Sequence, residues 1–557
     1  MNPFFSKSIL VILLLISSFS SIAQSHYPGM FLISFTDKNQ SPYSISKPEQ
    51  FLSSRAIERR SKANIDILEQ DLPVNTFYID SLKHFGAAPS FSSRWLNAVL
   101  IRMDDSLKMQ EILSLSFVDS MQYMAPVKSI KRKKKSKSHQ KHVSTGMEEP
   151  QELIDYGASE EQLKLIGLLQ LHQMHYLGEG IQIAVLDNGF RGVEKMDAFE
   201  HLYSNAQILG TKDIANPGGD VYKAGSHGTY VMTTMAAYEE AKLVGSAPAA
   251  AYWLIHTEDN SYEYPIEEFN WTVGAEFADS AGADIITSSL IYSTFDDPSL
   301  NHNHSQLDGK TAIISRAAQT ATEKGILVFN SAGNDAAKPW HKIAFPADAK
   351  DVMTIGAVDM QGNYAKFSSV GYTTDNRIKP DVVAVGKGTL SISPNTGELV
   401  AINGTSFSNP TIAGATAILL QANPDASTEE IRQAIRQSAS QNSHPDSLMG
   451  YGIPNFYLAH ILLNNKDISK LKEQEGFTLM PNPYVSDLFI VYNVIDTQEV
   501  QIQVFDISGK LMFEETNINS LPGMNLYKLD KASSLSQGMY LVVLHIGNEK
   551  YTRKLIK

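Results

Sequence analysis

Three stretches of the chain place a residue capable of acid–base or nucleophilic chemistry beside neighbours that free it from a core. Asp187 closes Ile183-Ala184-Val185-Leu186-Asp187-Asn188-Gly189, where an apolar strand gives way at once to a turn. Ligands of open α/β sheets gather at the carboxyl ends of strands, so a carboxylate here suits a site; Asp before Asn-Gly is also ordinary turn chemistry. His227 stands in Ser226-His227-Gly228-Thr229, ahead of small and apolar residues that reach Ala237. A helix starting there lets the ring project outward past Gly228, although a lone His often serves structure alone. Ser406 lies in Asn403-Gly404-Thr405-Ser406-Phe407-Ser408-Asn409-Pro410, before Ile412–Leu420, which is apolar or small on every side. At the N-terminus of such a buried helix, free backbone N–H groups favour a developing negative charge. The bland reading makes Thr405 or Ser406 a helix cap. Capping explains a hydroxyl but not Pro410 inside the helix, where the ring removes a hydrogen bond.

The surrounding elements can position these groups. Ile181–Leu186, Tyr252–Ile255, Ala283–Thr287, Ile326–Phe329 and Val352–Val358 are strand-length and rich in branched residues, as a buried parallel sheet requires. Ile266, Phe269, Val273 and Phe277 recur at helical spacing, as do Ile314, Ala317, Ala318 and Ala321 before a stop at Gly325. Strands alternating with helices predict an α/β domain over residues 151–463. Ser427 with Glu430 predicts a capping box further on.

Together these stretches resemble the subtilisin-like serine peptidases, the subtilases. Gly404 to Pro410 meets the family's nucleophile pattern, Gly-Thr-Ser-x-(Ala/Ser)-x-Pro, and the order Asp, His, Ser also matches. Phe329-Asn330-Ser331-Ala332-Gly333-Asn334 follows a strand where the family places its oxyanion asparagine. The resemblance implies a subtilisin-like parallel-sheet peptidase fold and a serine-type endopeptidase. It implies Asp187, His227, Ser406 and Asn334 as catalytic residues, and Ser289, Leu290 and Ile291 as a substrate-binding strand opposite Ser331 and Gly333. Asn188, Met232 and Thr233 depart from the usual pattern without removing a catalytic atom, whereas Ile291 replaces a usual Gly and predicts a narrowed or rerouted pocket. No cofactor is implied for catalysis. Structural calcium fits the resemblance, with no ligands assignable from sequence. A reading from another class is a non-cleaving surface binding or adhesion protein on the same scaffold.

The flanks complete the organisation. Residues 1–23, with Lys7 before the apolar run Ile9 to Ile16 and small residues at Ser21 and Ala23, read as a signal peptide too short to span a bilayer. Residues 24–127 alternate strand-like and helix-like segments and look like a subtilase propeptide, a small α+β domain acting as an intramolecular inhibitor; an independent binding module is the alternative. A basic linker, 128–150, carries eight Lys or Arg between Lys128 and Lys141 without interleaved aromatics, which suits a solvated segment better than a nucleic-acid patch. After a polar linker, 464–475, residues 476–557 read as a small β-sandwich. Met480-Pro481-Asn482-Pro483, Phe505-Asp506-Ile507-Ser508-Gly509-Lys510, Gly538-Met539-Tyr540-Leu541 and Lys554-Leu555-Ile556-Lys557 resemble the sorting domain of type IX secretion systems. That resemblance implies the secretion machinery as a partner and a secreted or cell-surface location; a carbohydrate- or protein-binding sandwich is the competing view. The 557 residues contain no Cys, which excludes disulfides, a thiol nucleophile and Cys-ligated metals, and their net charge of −13 argues against nucleic acid as a partner. The partners expected are proteins or peptides as substrates.

Overall fold

Alternating side chains divide the centre of the molecule into two cores. In strand Gln182–Asp187, Ile183 and Val185 face one core while Ala184 and Leu186 face the other. Leu327 and Phe329 part from Val328 in the same way, as Ile285 does from Ile286. Strands apolar on both faces need cover on both, which is the condition of a parallel sheet between helix layers. The structure is a computed structural model that describes residues 27–127, 154–464 and 476–557, apart from 486, 496 and 521. The expected signal peptide, the basic linker and all but Asn464 of the second linker lie outside the described residues.

The central sheet has seven strands in the order Val382–Val385, Met353–Val358, Leu327–Ser331, Ile285–Ser288, Gln182–Asp187, Ala251–His256 and Ile208–Asp213. Every pairing is parallel. Helices Ile266–Ala281 and Ile313–Glu323 cover one face, and His227–Ala236 and Thr405–Ala422 the other. From Gln182–Asp187 the chain goes to the edge strand Ile208–Asp213, returns to Ala251–His256 and then crosses to the other side, so a topological switch point lies beside Gln182–Asp187, at whose carboxyl end a crevice must open. Asp187 is its last residue. The five strands expected from sequence start and end within two residues of those observed, and the Ser427–Glu430 capping box forms.

Residues 27–127 form a four-stranded antiparallel sheet, ordered Ala88–Ser93, Ala98–Met103, Gly29–Phe35, Val118–Pro126. Phe31, Ile33 and Phe35 pack with Leu82, Met109 and Ile112 of its own helices. Leu32, Leu100 and Met124, on the opposite face, pack on Ile266, Phe269 and Ile313 of the central domain. Residues 476–557 form two antiparallel sheets of three and four strands closing over Phe477, Ile490, Ile502 and Val542. No helix among the described residues is long and apolar enough to cross a membrane.

Candidate active site

Asp187, 0% exposed, is held at the strand end; its Oδ1 accepts the backbone N–H of Asn188 at 2.8 Å. His227 is the first residue of its helix, and its Nδ1 lies 2.8 and 3.0 Å from the two carboxylate oxygens of Asp187. That contact puts the proton on Nδ1 and leaves Nε2 as the basic nitrogen. Gly228 makes the approach feasible: a Cβ there would lie 2.6 Å from the Gly189 carbonyl oxygen and 3.0 Å from Cβ of Asp187.

Ser406 is the second residue of helix Thr405–Ala422 and is buried. The bland alternative, in which Thr405 or Ser406 merely caps the helix, does not hold: the cap position is Gly404, at φ +151°, with no side-chain cap. Both hydroxyls are thereby released from capping. Pro410 has no N–H to give the carbonyl four residues back, which is that of Ser406; that oxygen instead accepts the Ser289 hydroxyl at 2.9 Å. Asn409 Nδ2 donates to the Ser288 carbonyl at 3.0 Å and anchors the same turn to the sheet.

Asn334 approaches from the neighbouring strand. Its Oδ1 accepts the Thr405 backbone N–H at 2.9 Å and the Thr405 hydroxyl at 3.2 Å, so the amide NH₂ is the end turned away from these two donors. Phe407 brings its ring to 5.7 Å from the His227 imidazole. No hydrogen bond joins Ser406 to His227 among the described residues; such contacts commonly tighten only with substrate bound. Asn188, Ser226, His227, Tyr230, Asn260 and Phe407 border a cleft of about 630 Å³.

The electrostatics centre on the imidazole. Burial alone would lower the pKa of His227, but the charge and hydrogen bond of Asp187, reinforced by Glu258, raise it above the usual histidine value. Glu258 is itself pushed up to about 7 by burial and by Asp187, against the pull of His227 and His256. A second pair, His256 Nδ1 to Asp213 Oδ1 at 2.8 Å, stands at the ends of the next strands. Sequence reasoning missed Glu258, the hold of Thr405 on Asn334 and the grip of Ser289 on the Ser406 carbonyl; the acidic pair Glu258-Asp259 after His256 was the visible signal for the first. Among the described residues no cluster of three or more His, Asp or Glu side chains is arranged to hold a metal ion.

Residues 178–452 match the profile of the Subtilase family. The chain carries a subtilase peptidase domain. The segment ahead of this subtilase domain, residues 30–142, matches the Peptidase S8 propeptide domain of Bacteroidota, and residues 478–557 match a secretion system C-terminal sorting domain. Subtilisin NAT of Bacillus subtilis subsp. natto is 28% identical over 291 residues, 52% of this chain and 66% of its own length. Subtilisin Savinase of Lederbergia lenta is 27% identical over 285 residues, 51% of this chain and 92% of its own. The crystal structure of fervidolysin from Fervidobacterium pennivorans aligns over 93% of this chain and 71% of its own at a TM-score of 0.53 and 19% identity, a likeness of fold.

Proposed function

We propose that the chain is the precursor of an exported serine endopeptidase. The observation that carries this reading is the buried carboxylate that fixes His227 by Nδ1, and it is supported by a hydroxyl at a helix N-terminus and an amide whose oxygen is tied back to that helix by Thr405. Ser406 Oγ attacks the scissile carbonyl carbon as its proton passes to His227 Nε2, and Asp187 stabilises the imidazolium that forms. The oxyanion is met by Asn334 Nδ2 and the Ser406 backbone N–H, preorganised donors aimed at charge that exists only in the transition state. Collapse breaks the C–N bond, with His227 returning the proton to the leaving amine; water, deprotonated by the same imidazole, then releases the acyl group from Ser406. Residues 27–127 serve as the inhibitor of the domain they cover, and residues 476–557 as an address read by the secretion machinery, which supports a secreted or cell-surface location.

The test is labelling of the processed protein with a serine-directed fluorophosphonate together with cleavage of an unstructured protein. Both are expected to disappear in Ser406→Ala while the fold persists by circular dichroism. Asn334→Ala should lower kcat by about 10²–10³-fold, the usual cost of one oxyanion donor. Undiminished labelling and cleavage in Ser406→Ala would overturn the assignment. Absence of both in the unaltered protein would favour a non-cleaving binding protein.

A further inference from the structure

Two neighbouring strand exits grip the start of the helix that carries Ser406. From strand Ile285–Ser288, Ser289 donates its hydroxyl to the Ser406 carbonyl at 2.9 Å. From strand Leu327–Ser331, the Gly333 N–H donates to the Thr405 hydroxyl at 3.2 Å. In the substrate-binding arrangement that the subtilase resemblance implies, the side chain that precedes the scissile bond lies between these two exits. The space there is already taken. A Cβ built on Gly333 would lie 2.9 Å from Cδ1 of Ile291 and 2.8 Å from the Ser369 hydroxyl, so Ile291 reaches from one wall to the other.

Ile291 has little freedom to move aside. Its neighbours are tied down: the Leu290 carbonyl accepts Asn330 Nδ2 at 3.2 Å, and Tyr292 exchanges both backbone hydrogen bonds with Phe345, at 2.9 and 3.1 Å. Leu290 and Tyr292 are 5% and 1% exposed, whereas Ile291 between them is half-buried, as expected where alternate residues face the core and the cleft. A β-branched side chain is also stiff about its first torsion. Gly333, at φ +106°, is the residue type that accommodates both the backbone and the approaching methyl.

We infer that Ile291 closes the pocket for the residue preceding the cleaved bond, so that this peptidase cuts after glycine, alanine or serine and rejects aromatic and long side chains. The inference rests on the proposed peptidase function and adds its substrate class. It is tested with the processed enzyme on peptides identical except for Gly, Ala, Ser, Leu, Phe or Lys at that one residue, with active sites counted by fluorophosphonate labelling. The unaltered enzyme should favour Ala over Phe in kcat/KM by about 10²-fold or more, since even one methylene in a snug pocket is worth roughly 10–200-fold. In Ile291→Gly the Phe-to-Ala ratio should rise by about 10²-fold, with Ile291→Ala intermediate; the Ala variant supplies the same readout should the Gly variant fold poorly. A preference for Phe, Leu or Lys in the unaltered enzyme overturns the inference, as does a ratio unmoved in a variant that still labels. Loss of labelling in the unaltered enzyme would instead strike the peptidase reading beneath it.

Discussion

Helix Ile266–Ala281 meets residues 27–127 through an apolar patch around Ile266 and Phe269 and, further along, through a buried cluster of charges, whereas helix Phe456–Asn464 meets residues 476–557 mainly through apolar side chains. On the first seam, Asp279, 0% exposed, accepts Arg59 at 2.5 Å, Arg60 at 2.7 Å and Arg94 at 2.6 Å. Glu276 accepts the backbone N–H groups of Arg94 and Trp95 at 3.0 and 3.1 Å and the Ser93 hydroxyl, while Arg60 also reaches Asp71 at 2.9 Å. On the second seam, Leu458 and Ile461 pack on Val491 with Met480, Met524 and Leu526 around them, and the Tyr457 ring lies tilted against Phe489 with centroids 4.9 Å apart. Buried ions gain little net stability over the hydration they give up, yet any one left without its partner is strongly penalised. The charged part of the first seam is thus specific while closed and readily wetted once it opens. An apolar seam has the opposite character: separation leaves greasy faces in water. The chemistry fits an inhibitor that must leave and an address that must stay attached until export is done.

The contrast can be broken most forcefully at Asp279. Asp279→Ala removes the carboxylate that three guanidinium groups share, so a separate 27–127 fragment should inhibit the processed enzyme with an affinity about 10²–10⁴-fold weaker, as follows from a cost of about 3–5 kcal/mol for one missing partner of a buried pair. Equal inhibition constants for the two enzymes would show that the charges do not hold the fragment. On the other seam, Leu458→Ala should lower the stability of the full chain by about 2–5 kcal/mol in urea unfolding and leave inhibition by the fragment untouched. A change in inhibition would mean that the seams are coupled. The rim pair Arg55–Asp284, at 2.5 Å but with side chains 38% and 21% exposed, sharpens the point. Asp284→Asn should weaken inhibition by less than about fivefold, because exposed pairs are hydrated and screened. The smallest effect belongs to the cleft. Cleavage requires neutral His227, so kcat/KM rises with pH through a pKa lying above the ordinary value of about 6.5. Glu258→Gln removes one of the charges that raise it and should shift this limb to lower pH by a few tenths of a unit. A shift to higher pH would contradict the electrostatics described.

What could be read from the sequence, and what could not, divides by distance along the chain. Asp187, His227, Ser406 and Asn334 each sit in a short string whose local chemistry is unusual, and the structure brings His227 to Asp187 and Asn334 to the start of the Ser406 helix. The two-core sheet was legible from apolar runs of strand length. Pro410 was visible as an oddity, but its explanation, Ser289, lies 117 residues from Ser406. Ile291 was visible as a departure, while its reach to Gly333 depends on the spacing of two strands. The charged seam was not legible at all: Asp279 and Arg94 are 185 residues apart, and each alone looks like an ordinary solvated residue on a helix or turn. Pairings of that kind are set by how whole domains dock, which no local pattern encodes.

The bond from Ser289 to the Ser406 carbonyl ties the nucleophile to the strand exit that also carries Ile291. On the proposed mechanism, a side chain large enough to displace Ile291 would also strain the mooring of Ser406, so that an ill-fitting substrate would lose rate as well as affinity.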